Sequence, residues 1–70
     1  MNDQFQTNAP EPAAGQVWAD NDPRSFGREV TIRSIDGDYA YVQGGLRNTR
    51  IKLSRFKPTR SGYRYVTEQL

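Results

Sequence analysis

Apolar and polar residues alternate with a period of two through the middle of the chain, and this alternation sets out most of the fold. From Arg28 to Ile35 and again from Tyr39 to Gln43, Val30, Ile32, Ala40 and Val42 interleave with polar or aromatic residues, the pattern of two strands that each bury one face. Asp36-Gly37-Asp38 lies between them and predicts a turn. If Asp36 and Gly37 alone formed the loop, Ile32 would face Tyr41 and Val42 would face Thr31, and the buried sets of the two arms would diverge. A three-residue loop, Asp36 to Asp38, pairs Ile32 with Val42 and Ser34 with Ala40. It leaves Arg33, Ile35, Tyr39 and Tyr41 together on the second face.

On either side of this hairpin the pattern is shorter. Residues 1–14 are rich in Gln, Asn, Thr, Ala and Pro, with Phe5 their one large apolar side chain, and predict a disordered N-terminal arm. Gly15 to Asp20 predicts a first strand, with Val17 and Trp18 on opposite faces. Asn21 to Gly27 reads as a long loop, because Asn, Asp, Pro and Gly favour turns; Phe26 is expected to fold back over the end of the core. A turn at Gly44 to Asn48 leads to a strand at Thr49–Ser54, where Ile51 and Leu53 face inward and Arg50, Lys52 and Ser54 outward. Arg55 to Pro58 predicts a helical turn that plugs the core with Phe56. Thr59 to Gly62 predicts another turn, Tyr63 to Thr67 a fifth strand, and Glu68 to Leu70 a frayed end.

Five short strands, a long first loop, a tight hairpin and one helical turn before the last strand describe an all-β domain over residues 15–70, a small five-stranded SH3-like barrel. An OB-fold would need a longer chain and a helix between its third and fourth strands. A three-stranded sheet with loose ends is the remaining alternative.

The block Thr49-Arg-Ile-Lys-Leu-Ser-Arg-Phe-Lys-Pro-Thr59, with Gly62-Tyr-Arg-Tyr-Val66, Gly15, Val17, Trp18 and Gly27-Arg28, resembles a family of short uncharacterised proteins from actinobacteria and their phages. The resemblance runs over about residues 15–66 and implies no activity. More distantly, the Gly-x-Val start, the Gly-containing loop and the extended hairpin are similar to KOW and Tudor-type barrels, which bind RNA, ribosomal parts or modified peptides.

Composition narrows the chemistry. Seventy residues with 34% apolar content allow one small core. The chain has no cysteine and no histidine, which excludes thiolate nucleophiles, disulfide staples, imidazole bases and zinc sites built from Cys and His. Without an apolar run of ~18 residues or a leader-like start, the expectation is a soluble cytoplasmic protein, in host cytoplasm for a phage product.

Charge is unevenly spread. Residues 15–46 sum to −2, whereas Arg47, Arg50, Lys52, Arg55, Lys57, Arg60 and Arg64 give +7 between residues 47 and 67 with no acid among them. Such a series neutralises phosphates and releases counterions, the main source of affinity in sequence-independent nucleic-acid binding. It also suits a solvated strand that guards a sheet edge. Arg33, Tyr39 and Tyr41 have the composition of a base-stacking platform, although a tyrosine on a strongly bent strand can equally be core. The candidate nucleic-acid-binding residues are therefore Arg33, Tyr39, Tyr41, Arg47, Arg50, Lys52, Arg55, Lys57 and Arg60. Asp20, Asp22 and Ser25 read as turn formers, since no base of suitable pKa accompanies them. Trp18, Phe56 and Tyr63 read as core, although an aromatic cage for a methylated side chain would use the same residue types. No catalytic, cofactor or metal site is expected. The chain reads as a non-enzymatic binding module for RNA or DNA, or alternatively for a protein, such as a host protein bound by a phage product.

Overall fold

The computed structural model describes residues 10–68. Of the arm expected at residues 1–14, residues 1–9, with Phe5, lie outside the described residues, as do Gln69 and Leu70 of the expected frayed end; Glu68, expected to fray, belongs to the last strand. Five strands follow in order: β1 (Gln16–Asp20), β2 (Glu29–Asp36), β3 (Tyr39–Gly44), β4 (Arg47–Lys52) and β5 (Tyr63–Glu68). They form one antiparallel sheet in the order β4-β3-β2-β1-β5. Strands β1 to β4 form a meander and β5 returns to pair with β1, the strand order of the expected SH3-like plan, with no β4–β5 ladder among the described residues to close it into a barrel. Among the described residues β4 and β5 form the two edges.

The β2–β3 hairpin reaches the expected Ile32–Val42 pairing by a different route. Its loop is two residues, Gly37-Asp38, because Asp36 pairs with Tyr39. Gly37 takes φ +60°, the glycine-first arrangement that suits the twist of a hairpin. A bulge between Ile32 and Ser34 then absorbs one residue, so Ser34 pairs with Tyr41 and Ile35 with Ala40. The expected Ser34–Ala40 pair does not form. Beyond the bulge every side chain of β2 changes face, which turns Ile35 to the side of Ala40 and away from Tyr39 and Tyr41.

The next hairpin is also tighter than expected. Gly44 pairs with Arg47, so Gly45 and Leu46 alone make the turn and β4 begins at Arg47 instead of Thr49. It ends at Lys52, where a 3₁₀ turn over Leu53–Arg55 takes over. The helical turn thus precedes Phe56 and does not contain it. Phe56 is nonetheless buried, as the plug role requires. The chain then doubles back so tightly that a Cβ on Gly62 would collide with the Lys57 carbonyl and lie 2.8 Å from the Arg55 carbonyl. Only glycine fits there.

The core is an aromatic cluster. Trp18, fully buried, meets Phe56 edge-on at 5.1 Å and Tyr65 at 5.6 Å, and Phe56 stacks on Tyr63 at 5.4 Å, all within the favourable range of ring pairs. Val30, Ile32, Ala40, Val42 and Ile51 complete it. The Trp18 indole N–H donates to the Gln16 Oε1 at 3.0 Å. Buried Gln16 also accepts the Ala13 N–H and donates to the Glu11 carbonyl, each at 2.9 Å. Its amide therefore satisfies the indole and ties Glu11 and Ala13, within the expected arm, to the start of β1.

Phe26 does not cover the core. It is 92% exposed and holds φ 52° at the end of a 3₁₀ turn over Pro23–Ser25. The loop is closed instead by polar contacts: Asp20 accepts the Asp22 N–H and the Ser25 hydroxyl, each at 2.9 Å, and Asp22 accepts the Arg24 N–H at 3.0 Å. These contacts fix the backbone and leave Phe26 pointing into solvent.

Candidate nucleic-acid interface

Residues directly opposite in an antiparallel sheet project from the same face, so the register of β2, β3 and β4 builds the site. Three cross-strand rows form on the face away from the core: Asp36–Tyr39–Lys52, Ser34–Tyr41–Arg50 and Thr31–Gln43–Asn48. The bulge places Arg33 and Ser34 together opposite Tyr41. Arg33 reaches along the face, with Nε and Nη2 both donating to the Gln43 Oε1 at 3.0 and 2.6 Å. The Arg50 guanidinium lies 4.5 Å from the centre of the Tyr39 ring, a cation–π contact that holds the guanidinium over the strand. Tyr41 keeps 39% of its surface exposed. Arg33, Tyr41, Asn48 and Arg50, with Val42 and Thr49, line a shallow depression of about 450 Å³, within the ~300–1,000 Å³ of ligand clefts.

The structure thus brings Arg33, Tyr39, Tyr41, Arg50 and Lys52 onto one exposed face. It removes Ile35 from that group and adds Gln43, Asn48 and Asp36. Asp36 sets a carboxylate in the same row as Lys52, so the positive end of the face is the one nearer Arg50 and Asn48.

The remaining bases lie elsewhere. Arg55 is engaged in the loop before β5: its Nε donates to the Ser61 carbonyl at 2.9 Å, and its guanidinium sits 5.8 Å from the Tyr63 ring centre. Lys57 and Arg60 are exposed in that same loop. Arg47 alternates with Arg50 and shares the core-side face of β4 with Thr49 and Ile51. There it helps line a second depression of about 230 Å³, together with Asp20, Arg28, Val30 and Tyr63. This is the mouth between the two sheet edges. Burial pushes the Tyr63 phenol up from its ordinary pKa; Asp20 adds to the shift, and Arg55 and Arg28 oppose it.

Arg28 is absent from the sequence-based candidates because it stands far along the chain from the basic series. Asn48 had a usable signal, its two-residue spacing from Arg50. The loop acids behave as turn formers. Arg24 donates two side-chain hydrogen bonds to Asp22 and holds its carboxyl at about 2, below the ordinary 3.8. Among the described residues no three acidic side chains converge on a metal position, and no helix is long and apolar enough to cross a membrane. No family model, curated protein or solved structure matches the chain.

Proposed function

We propose that the chain is a non-enzymatic module that binds RNA or DNA through the outer face of β2–β4, with little dependence on base sequence. The observation that carries this reading is the cross-strand register, which sets exposed Tyr41 directly opposite Arg50 and Tyr39 directly opposite Lys52. Arg50 and Lys52 supply charge for phosphates, and Tyr41, flanked by Arg33 and Arg50, offers a ring on which an unstacked base can lie. Each such stacked base contributes ~1–3 kcal/mol. Tyr39 is already covered by Arg50 and acts by holding that guanidinium in place.

The test is a titration of labelled oligonucleotides across a salt series. Replacing Arg50 and Lys52 together by Gln is expected to weaken all sequences alike and to flatten log K against log salt by about one to two units. Tyr41→Ala is expected to leave that slope unchanged and to weaken single strands more than duplexes. Absence of binding by the wild-type chain at low salt and micromolar concentration would sink the reading.

A second reading, a protein-binding module, draws on Phe26 and Leu46, which are 92% and 105% exposed. Both stand on connections at one end of the meander. The partner in that case is a host protein, in keeping with the phage resemblance of the Thr49–Thr59 block. Both readings place the chain in a cytoplasm.

A further inference from the structure

We infer that the ligand is a single strand that crosses the free edge of β4, with a base in the outer depression and the adjoining phosphate in the mouth between Arg28 and Arg47. This rests on the nucleic-acid reading and specifies the form of its ligand. Three observations combine. Among the described residues β4 pairs with β3 alone, so its other edge is open to a ligand. Thr49 and Arg50 line both depressions, which therefore adjoin across this one strand. The mouth also has the charge of a phosphate site: Arg28 and Arg47 line it against one carboxylate, Asp20.

That carboxylate is turned toward the protein. Its two oxygens accept the Asp22 N–H and the Ser25 hydroxyl. Among the described residues no carboxylate forms an ion pair with Arg28 or Arg47. Their guanidiniums are therefore available to oxygens from outside. The floor of the mouth is apolar, from Val30, Ile51 and Tyr63, and a charge–charge contact at such a rim is less screened than one on an open strand.

The geometry selects against a duplex. In a duplex the bases are stacked inward, so one cannot lie on Tyr41 while its own phosphate passes to the opposite side of β4. A single strand, whose bases splay freely, can do both. Arg28 thereby becomes part of the binding surface although it precedes the basic series by nearly two strands.

The experiment measures fluorescence anisotropy of a labelled ten-nucleotide oligo-dT, its RNA counterpart and a duplex of equal length, from low to moderate salt. The variants are Arg28→Gln with Arg47→Gln, the charge-keeping pair Arg28→Lys with Arg47→Lys, and Arg24→Gln as a control for net charge. Thermal melts establish that each variant is folded. The Gln pair is expected to reduce the single-strand salt slope by about 0.7 to 1.4 units, ~0.7 per lost phosphate contact. The Lys pair and Arg24→Gln should keep the wild-type slope, and the duplex should bind more weakly than either single strand.

A wild-type chain that binds, with an unchanged slope in the Gln pair, would overturn the edge crossing and leave the outer-face reading in place. Duplex binding as tight as single-strand binding would overturn it too. Displacement of the oligonucleotide by hexaglutamate at equal charge concentration would assign the mouth to an acidic protein segment instead. A wild-type chain that binds nothing removes both readings.

Discussion

The two sides of the sheet use their strands in opposite ways. In β1, four of five residues are buried, and the strand sits between β2 and β5 with Trp18 at the centre of the aromatic cluster. In β4, Ile51 alone of six residues is buried, and the strand offers one edge and most of its side chains to solvent. Burial of apolar area is the main stabilising term in folding, so β1 and the cluster around Trp18 hold the fold together. The β3–β4 side, attached by one ladder, is free to present charged and aromatic groups. A difference this sharp in so small a domain predicts that stability and binding can be perturbed separately.

The largest effect should come from the buried side. Phe56→Ala removes a ring that touches both Trp18 and Tyr63 and is expected to destabilise by ~3–5 kcal/mol. Stability of ~0.05–0.15 kcal/mol per residue leaves little reserve against such a loss. A denaturant titration checks this; a mild effect would mean that the aromatic cluster does not hold the fold.

Gln16→Ala should follow, at about 1–3 kcal/mol, because it strands the buried Trp18 indole N–H without a partner. It also frees Glu11 and Ala13. Amide exchange at Ala13 should accelerate along with the loss of stability, and slow exchange there would show that the segment is held by something other than Gln16.

The Arg50→Gln, Lys52→Gln pair sharpens the contrast from the other side. Both groups are exposed, so stability should stay within about 0.5 kcal/mol of wild type while nucleic-acid binding falls. A parallel loss of stability and binding would erase the division of labour.

The smallest effect is electrostatic. Asp22, held at about 2 by Arg24 against an ordinary 3.8, has a folded pKa below its unfolded one. Its ion pair therefore supports the fold above about pH 4, and this support fades as the pH falls toward 2. The thermal midpoints of wild type and Asp22→Asn should differ slightly at pH 5 and converge near pH 2. Curves that stay parallel would assign the difference to something other than the charge, since Asn keeps an oxygen that accepts the Arg24 N–H.

Much of this was legible from residue spacing. Period-two patterning identified the strands and the Ile32–Val42 pair, and the parity of Arg50 and Lys52 placed both on one face. The bulge had a signal that was readable but not decisive: Ile35 follows Ile32 by three residues, so the two cannot share a face on a regular strand. Phe26 misled because apolar character favours burial, whereas the hydrogen bonds of Asp20, Asp22 and Ser25 determine the loop. Gln16 gave no local sign of its burial, since its role depends on the indole two residues on and on upstream backbone. Arg28 and Arg47 line one depression only because the sheet folds round, a juxtaposition that linear spacing does not encode.

The most direct test of the central claim is an amide-resolved NMR titration of the wild-type chain with a single-stranded ten-mer at low salt. The account predicts shifts concentrated at Arg28, Arg33, Tyr39 to Gln43 and Arg47 to Lys52, with the amides of Val17 to Ala19 and of Arg64 to Thr67 nearly still. Shifts centred on β1 and β5, or none at saturating oligonucleotide, would contradict it.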